Sequence, residues 1–378
     1  MWTVLTQAMN ILFLDQFSNT GGGQRSLLDL LPAVREQGWS ARVAIPGPGS
    51  YSDQLQHIGV PVEWIPCGPY TNGQKGLGDF ARYAREMPAM FKRISALATE
   101  HGTDLLYVTG PRLLPAAALV ARRRGLPLIF HCHHRVTQHF AVWAAGQALR
   151  WTNAEVIACC RFAAEPLRHY VREERLRIVY NGVSAVAPPG RSPTAARPTR
   201  IGVIGRIEPE KGQLEFIAAA KLLRTEFRNV QFVIVGAPML SSDDYLRRVR
   251  EASRGLPLEF LGWQDDIRAV FAKLDLLVVP SAAIDSTPRV IPEAFAARVP
   301  VVAFPAGGIP ELIEDDSNGF LARDNSPEAL ASRIRGVLFM PSGEIRKVTR
   351  RALLSWQQKY TLKGFQEEIT AAILHASS

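Results

Sequence analysis

Short apolar runs, bounded by charged residues, glycine or proline, recur along this chain, and the segments between them carry apolar residues at helical spacing. In the first half the runs predict strands at Asn10–Leu14, Ala41–Ala44, Leu105–Val108, Leu128–His131, Val156–Ala158 and Arg177–Val179. Amphipathic helices are expected between them at Gln24–Gln37, Gly78–Glu100 and Leu113–Arg124, with Gly38 and Gly125 placed as left-handed C-caps. Strands alternating with helices in this way are the sequence form of a parallel sheet covered by helices.

Ser184–Thr199 breaks the pattern. It is rich in Pro, Ala, Ser and Gly without periodicity, which is the composition of a linker. A second series follows, with strands at Arg200–Ile204, Gln231–Val235, Leu258–Leu261, Leu276–Val279 and Val301–Phe304 and a helix from Gln213. The 378 residues exceed the roughly 100–200 of one ordinary domain. The expected fold class is therefore α/β, with two Rossmann-like domains at 1–184 and 200–355 facing a central cleft. Ligands of such sheets bind beyond the carboxyl ends of the strands.

Composition narrows the class further. Hydrophobic residues make up 47% and charged residues 21%, a globular balance that excludes a disordered chain. Leu113–Ala121 is the longest apolar stretch, far short of the roughly 20 residues that span a bilayer, and the first residues do not read as a signal peptide. Cys67, Cys132, Cys159 and Cys160 show no paired spacing, as expected of reduced thiols, so the expected location is cytoplasmic. The net charge is +9, with 19 Lys and Arg against 13 Asp and Glu before residue 185. Such a surface suits an anionic partner or is simply solvated. No nucleic-acid signature accompanies it, so nucleic acid is not expected as a partner.

Four places carry candidate chemistry. Gly21, Gly22 and Gly23 follow the first strand and precede a helix, where backbone N–H groups approach a phosphate or sugar closely; a flexible loop is the plainer alternative. In Gly205–Gly212, Arg206 and Lys211 flank a turn before a helix and would seat a diphosphate, unless the turn is merely exposed and charged. In the third place, Asp285 lies in a loop and Glu293 just inside a helix marked by Pro288 and Pro292. Glu293 is placed to accept hydroxyl hydrogen bonds from a ribose, and Asp285 from a sugar ring. The fourth is His131, His133 and His134 at a strand end. Alternation points His131 and His133 one way and His134 another, and no carboxylate or paired thiol completes a zinc spacing, so no metal site is assigned. A buried histidine held under a loop is the plainer reading.

The acid pair separated by seven residues, with "NGV" at 181–183, "GRIEPEKG" at 205–212, "FLGWQDDI" at 260–267 and "GGIPEL" at 307–312, resembles the retaining GT-B glycosyltransferases of the GT4 family over nearly the whole chain. The resemblance implies a nucleotide-sugar donor, UDP- or GDP-linked, its diphosphate held by Arg206 and Lys211, its ribose by Glu293 and its base near Trp263. It gives His133, or failing that His131, the donor sugar, and sends the last helix, within 356–378, back onto the first domain. Two departures stand out. The first acid is Asp285 where most of the family has Glu, and Ser286, Thr287, Pro288 and Arg289 replace a Gly-Phe-Gly-like segment, with backbone amides near Thr287 still able to meet the phosphate.

The activity implied is retaining transfer of a sugar to an acceptor hydroxyl by front-face attack, catalysed by His133, Asp285, Arg206 and Lys211 without an essential metal or further cofactor. The acceptor is a glycan, a lipid-linked sugar or a small molecule, in cell-envelope polysaccharide, glycolipid or related synthesis. A nucleotide-sugar epimerase and a non-catalytic binding protein are the rival readings. Arg122, Arg123 and Arg124, with the aromatic and small apolar residues of His139–Trp151, also form a basic amphipathic surface suited to peripheral contact with the inner face of a membrane.

Overall fold

The computed structural model describes residues 8–68, 77–186, 199–239, 243–281 and 285–377, and by its contacts the chain divides into two units. The first comprises Met1–Asn181 with Lys363–Ser378 and the second Gly182–Leu362. Most of the linker predicted at Ser184–Thr199, residues 187–198, lies outside the described residues.

The first unit is built on strands β1 (Asn10–Leu14), β2 (Ser40–Ile45), β3 (Val62–Trp64), β4 (Leu105–Val108), β5 (Leu128–Cys132), β6 (Glu155–Ala158) and β7 (Leu176–Ile178). They form one parallel sheet in the order β3-β2-β1-β4-β5-β6-β7. Its helices are α1 (Gly22–Glu36), α2 (Ser50–His57), α3 (Leu77–Glu100), α4 (Leu114–Arg124), α5 (His139–Thr152) and the single turn α6 (Arg161–Ala164).

Strand alternation sorts the side chains of this sheet into two faces. Leu12, Leu14, Leu106, Val108, Phe130, Cys132, Val156 and Ala158 join one buried cluster with Met90, Ile94 and Leu97 of α3 and the apolar sides of α4 and α5. The odd-numbered neighbours Phe13, Tyr107, His131 and Glu155 lie on the opposite face. Apolar residues there and on the covered face alike leave these strands buried on both sides, as parallel sheets require.

The second unit holds β8 (Thr199–Ile204), β9 (Val230–Val235), β10 (Leu258–Gly262), β11 (Leu276–Val279), β12 (Val301–Ala303) and β13 (Phe320–Leu321), parallel in the order β10-β9-β8-β11-β12-β13. Its helices are α7 (Gln213–Arg224), α8 (Asp243–Ala252), α9 (Ile267–Phe271), α10 (Val290–Ala297), α11 (Ile309–Leu312), α12 (Pro327–Phe339) and α13 (Ser342–Lys359). Both units are thus parallel, Rossmann-like α/β sheets.

The last helix, α14 (Leu362–Ser377), joins the first unit from Lys363 onward. There Gln366 Nε2 donates to the Asp29 carbonyl of α1 at 2.6 Å, and the Phe365 ring lies 6.4 Å from that of His131. His375 Nδ1 sits 3.1 Å from the fully buried Glu155, whose carboxylate also pairs with Arg175 and Arg177.

Candidate functional site

Strand order reverses between β8 and β11 in the second unit, and the loops leaving those two strands hold its candidate chemistry. Gly205–Gly212 leaves β8, Pro280 and Ser281 leave β11, and Asp285–Arg289 leads into α10. The first two meet closely: a Cβ added to Gly212 would lie 1.8 Å from the Pro280 carbonyl oxygen, and its φ of +68 is one that L side chains rarely adopt. Only glycine suits that position. It caps α7 and so fixes where the helix N-terminus, with its partial positive charge, begins.

Lys211 and Asp285 are brought together here. Nζ of the lysine donates to Oδ2 of the aspartate at 2.6 Å, with the side chains 20% and 12% exposed. The Asp285 carbonyl in turn accepts from the Gly308 N–H at 3.0 Å, so the 307–312 turn braces the acid's loop. Lys211, Gly205, Pro280, Ser281, Pro288 and Arg289 are among the residues lining a pocket of about 70 Å³ between the two strand ends. That is room for a phosphate-sized group, since pockets for whole ligands run to roughly 300–1,000 Å³.

The remaining predicted residues of this unit are spread around these loops. Arg206 pairs with Glu210 on its own turn, and its carbonyl accepts from Gln213 Nε2 at 2.7 Å. Ser286 is buried and Thr287 half-buried, while Glu293 lies in the first turn of α10. Trp263, on the loop after β10, is about half exposed and donates from Nε1 to Asp265 at 3.1 Å. Arg289, which lines the pocket, was not among the predicted site residues. Its signal was its position directly before α10, where a cation faces the loops of both strands.

In the first unit the glycine cluster behaves differently from expectation. The helix begins at Gly22, not Gln24, so Gly22 and Gly23 form the first turn of α1 and Gly21 is its N-cap. Gly21 N–H donates to Gln24 Oε1 at 3.0 Å, and Gln24 Nε2 donates to Asp15 Oδ2 at 2.9 Å. Asp15 is buried at the end of β1, and burial pushes its carboxyl above the usual range, against the hydrogen bonds from Gln24, Thr109 and Phe17. Sequence reading missed it. The signal available was an acid placed directly after the apolar run of β1.

Gly23 packs on the histidine strand end, where an added Cβ would come within 3.0 Å of the His133 ring. His131 and His133 point the same way, their rings 3.9 Å apart, while His134 is exposed. Both rings are buried. Tyr107 OH lies 2.7 Å from His131 Nδ1, and burial lowers the His131 pKa to about 3, so the imidazole is neutral near pH 7. Asn181, of the 181–183 motif, lies 2.7 Å from the Ser26 hydroxyl of α1. Among the described residues no group of three or more His, Cys, Asp and Glu side chains is arranged to hold a metal ion.

Comparison with known proteins places these features in a family. Residues 21–182 match the model of the glycosyl transferase 4-like domain, and residues 198–339 match that of glycosyl transferases group 1. The chain is 26% identical over 338 residues to a phosphatidyl-myo-inositol mannosyltransferase of Mycolicibacterium smegmatis, covering 85% of this chain and 82% of that protein. It is 33% identical over 143 residues to the lipopolysaccharide 1,2-N-acetylglucosaminetransferase of Salmonella typhimurium, a match spanning 35% of this chain and only 38% of that relative. Among solved structures, Anabaena HepE in complex with UDP superimposes with a TM-score of 0.80 at 25% identity, covering 97% of this chain and 100% of that one. Two parallel-sheet units with these loops, matched by both halves of one family's models, make this chain a member of the group 1 (GT4) glycosyltransferases of GT-B fold.

Proposed function

We propose that the chain transfers a sugar from a nucleoside-diphosphate sugar to an acceptor hydroxyl with retention of configuration and without an essential metal. The observation that carries this reading is the junction of the β8 and β11 loops, where Lys211, held by Asp285, and Arg289 line a phosphate-sized pocket beside the N-termini of α7 and α10. Cations and helix N-termini fixed in advance stabilise the charge that builds on a departing diphosphate. HepE, solved with UDP and with UDP-glucose at 25–26% identity, supports uridine as the base, with GDP the second candidate.

In this mechanism the acceptor oxygen bonds the anomeric carbon on the face the diphosphate leaves. The bond from that carbon to the phosphate oxygen breaks, and the acceptor's proton passes to the same phosphate oxygen. Lys211 and Arg206 hold the diphosphate, Glu293 the ribose, Trp263 the base, and His133 and Asp285 the sugar. Backbone N–H groups of Gly22, Gly23, Ser286 and Thr287 complete the donor site, that of Gly21 being taken up by Gln24. The Lys211–Asp285 pair favours this route over a covalent glycosyl-enzyme, because the lysine reduces the nucleophilicity of the carboxylate. The acceptor is a glycan, a lipid-linked sugar or a small molecule, met in the cytoplasm or at the inner membrane face.

Thermal melting in the presence of UDP, GDP or ADP, with and without Mg²⁺, tests the reading. A ligand at 100 times its dissociation constant adds about 2.7 kcal/mol of stability. A shift with UDP that Mg²⁺ does not enlarge is expected. No shift with any diphosphate overturns the donor site, and a shift only with Mg²⁺ overturns metal independence.

A further inference from the structure

The outward side of α5 joins two features not used in the donor site. Phe140, Trp143 and Trp151 are 49%, 52% and 50% exposed, whereas Ala145, Ala148 and Leu149 of the same helix are buried. Positions 140, 143, 147 and 151 fall on one helical stripe, so the three aromatics and Gln147 share a face. The Phe140 and Trp143 rings lie 5.7 Å apart, at one end of that stripe.

The other end is basic. α4 packs beside α5 and ends in the exposed Arg122, Arg123 and Arg124; the Arg122 guanidinium lies 5.9 Å from the Trp151 ring of α5, while Arg123 lies over Phe91 and Arg124 bonds Thr99, both of α3. Arg150 lies over Tyr170 at 5.4 Å, next to the exposed Arg168 and His169. No acid occurs between Asp104 and Glu155, a span that contains six arginines. Glu165, the first acid beyond β6, is paired with Arg135. Aromatic rings standing out of an acid-free, arginine-edged helix match a bilayer interface, where tryptophan sits at headgroup depth and arginine reaches lipid phosphate.

We propose that α5 lies in the surface of an anionic phospholipid bilayer, inserting Phe140 and Trp143 while Arg122, Arg123, Arg124 and Arg150 meet the headgroups. The proposal rests on the part of the functional reading that puts the enzyme at a membrane. Its test reads vesicle binding and not sugar transfer, so either can fail without the other.

The test is flotation of the full chain with vesicles of phosphatidylcholine alone or with about one third phosphatidylglycerol. Binding is expected only with phosphatidylglycerol, weakening as salt rises. F140S/W143S should lose most of the bound fraction while its melting shift with UDP matches that of the wild type. R122Q/R123Q/R124Q should bind roughly 100-fold more weakly, each arginine near such a surface contributing about 1 kcal/mol. Absence of wild-type binding, or equal binding by F140S/W143S, overturns the proposal. So does concentration-dependent self-association that F140S/W143S abolishes, since a second copy of the chain would then cover the face.

Discussion

Lys211 Nζ lies 2.6 Å from Asp285 Oδ2, joining residues 74 positions apart from the loops of two adjacent strands. A diphosphate and the Asp285 carboxylate offer the same kind of oxygen to the same ammonium group, so the two compete for it. Asp285→Asn should therefore bind free UDP up to about 10-fold more tightly, roughly 1.4 kcal/mol, while transferring sugar more slowly. Lys211→Ala should lose about 10²–10³-fold in turnover, as when one fixed donor to a developing negative charge is removed. Calorimetric UDP titration and a UDP-release assay on both variants check this. Weaker UDP binding by Asp285→Asn would mean that the acid orients the lysine and does not compete for it.

Two glycines separate backbone demand from incidental composition. Gly212→Ala puts a methyl group into the Pro280 carbonyl at a left-handed φ and should cost about 2–4 kcal/mol, with loss of the UDP-induced melting shift. At Gly22, exposed in the first turn of α1, an added Cβ meets nothing within 4 Å. Gly22→Ala should leave stability within about 0.5 kcal/mol of the wild type. Urea unfolding of the two variants decides the matter. A Gly212→Ala protein as stable as Gly22→Ala would show that the two loops are not in contact.

The limits of sequence reading are visible in particular elements. β1, β4 and β11 match their predicted bounds, their apolar runs being stopped on at least one side by a charged residue: Asp15 after β1, Asp104 before β4 and Asp275 before β11, with Pro280 after it. Gly22 and Gly23 read as loop on propensity, yet the first turn of a helix needs little from its own residues once Gln24 bonds the Gly21 N–H. β3 was missed, having only three residues, none fully buried, at the sheet edge. Lys211 and Asp285 were both named, but their pairing depends on strand order, which periodicity does not encode. Asp15 escaped for the same reason, since its partners Gln24 and Thr109 reach it only through the fold.

Glu155 is a buried carboxylate that meets two arginines and a histidine. Its carboxylate is 0% exposed and meets Arg175, Arg177 and His375, the last on the returning helix α14. Glu155→Ala would leave those groups without their anion and should cost about 3–5 kcal/mol in urea unfolding. His375→Ala, removing one exposed partner, should cost no more than about 1 kcal/mol. Equal losses in the two variants would mean that α14 docks through His375 itself and not through the arginine-held carboxylate.

His131 should leave its mark on the pH dependence of stability. Burial lowers its pKa from the ordinary 6.5 to about 3, so the folded protein holds it neutral while the unfolded chain protonates it below pH 6.5. A folded-state pKa depressed in this way gives stability that is present above the unfolded value and is lost as pH falls towards the folded one. The loss approaches about 1.4 kcal/mol per pH unit, or roughly 2 kcal/mol between pH 6.5 and 4.5. His131→Phe keeps a ring of similar shape but gives up the bond to Tyr107, about 1 kcal/mol, and has no proton to gain. The variant should thus be the less stable protein at pH 7 and the more stable one near pH 4.5, with other titrating groups, Asp15 among them, cancelling in the difference. Urea unfolding at the two pH values measures that crossing, and parallel losses in both proteins would mean that His131 takes up its proton without unfolding.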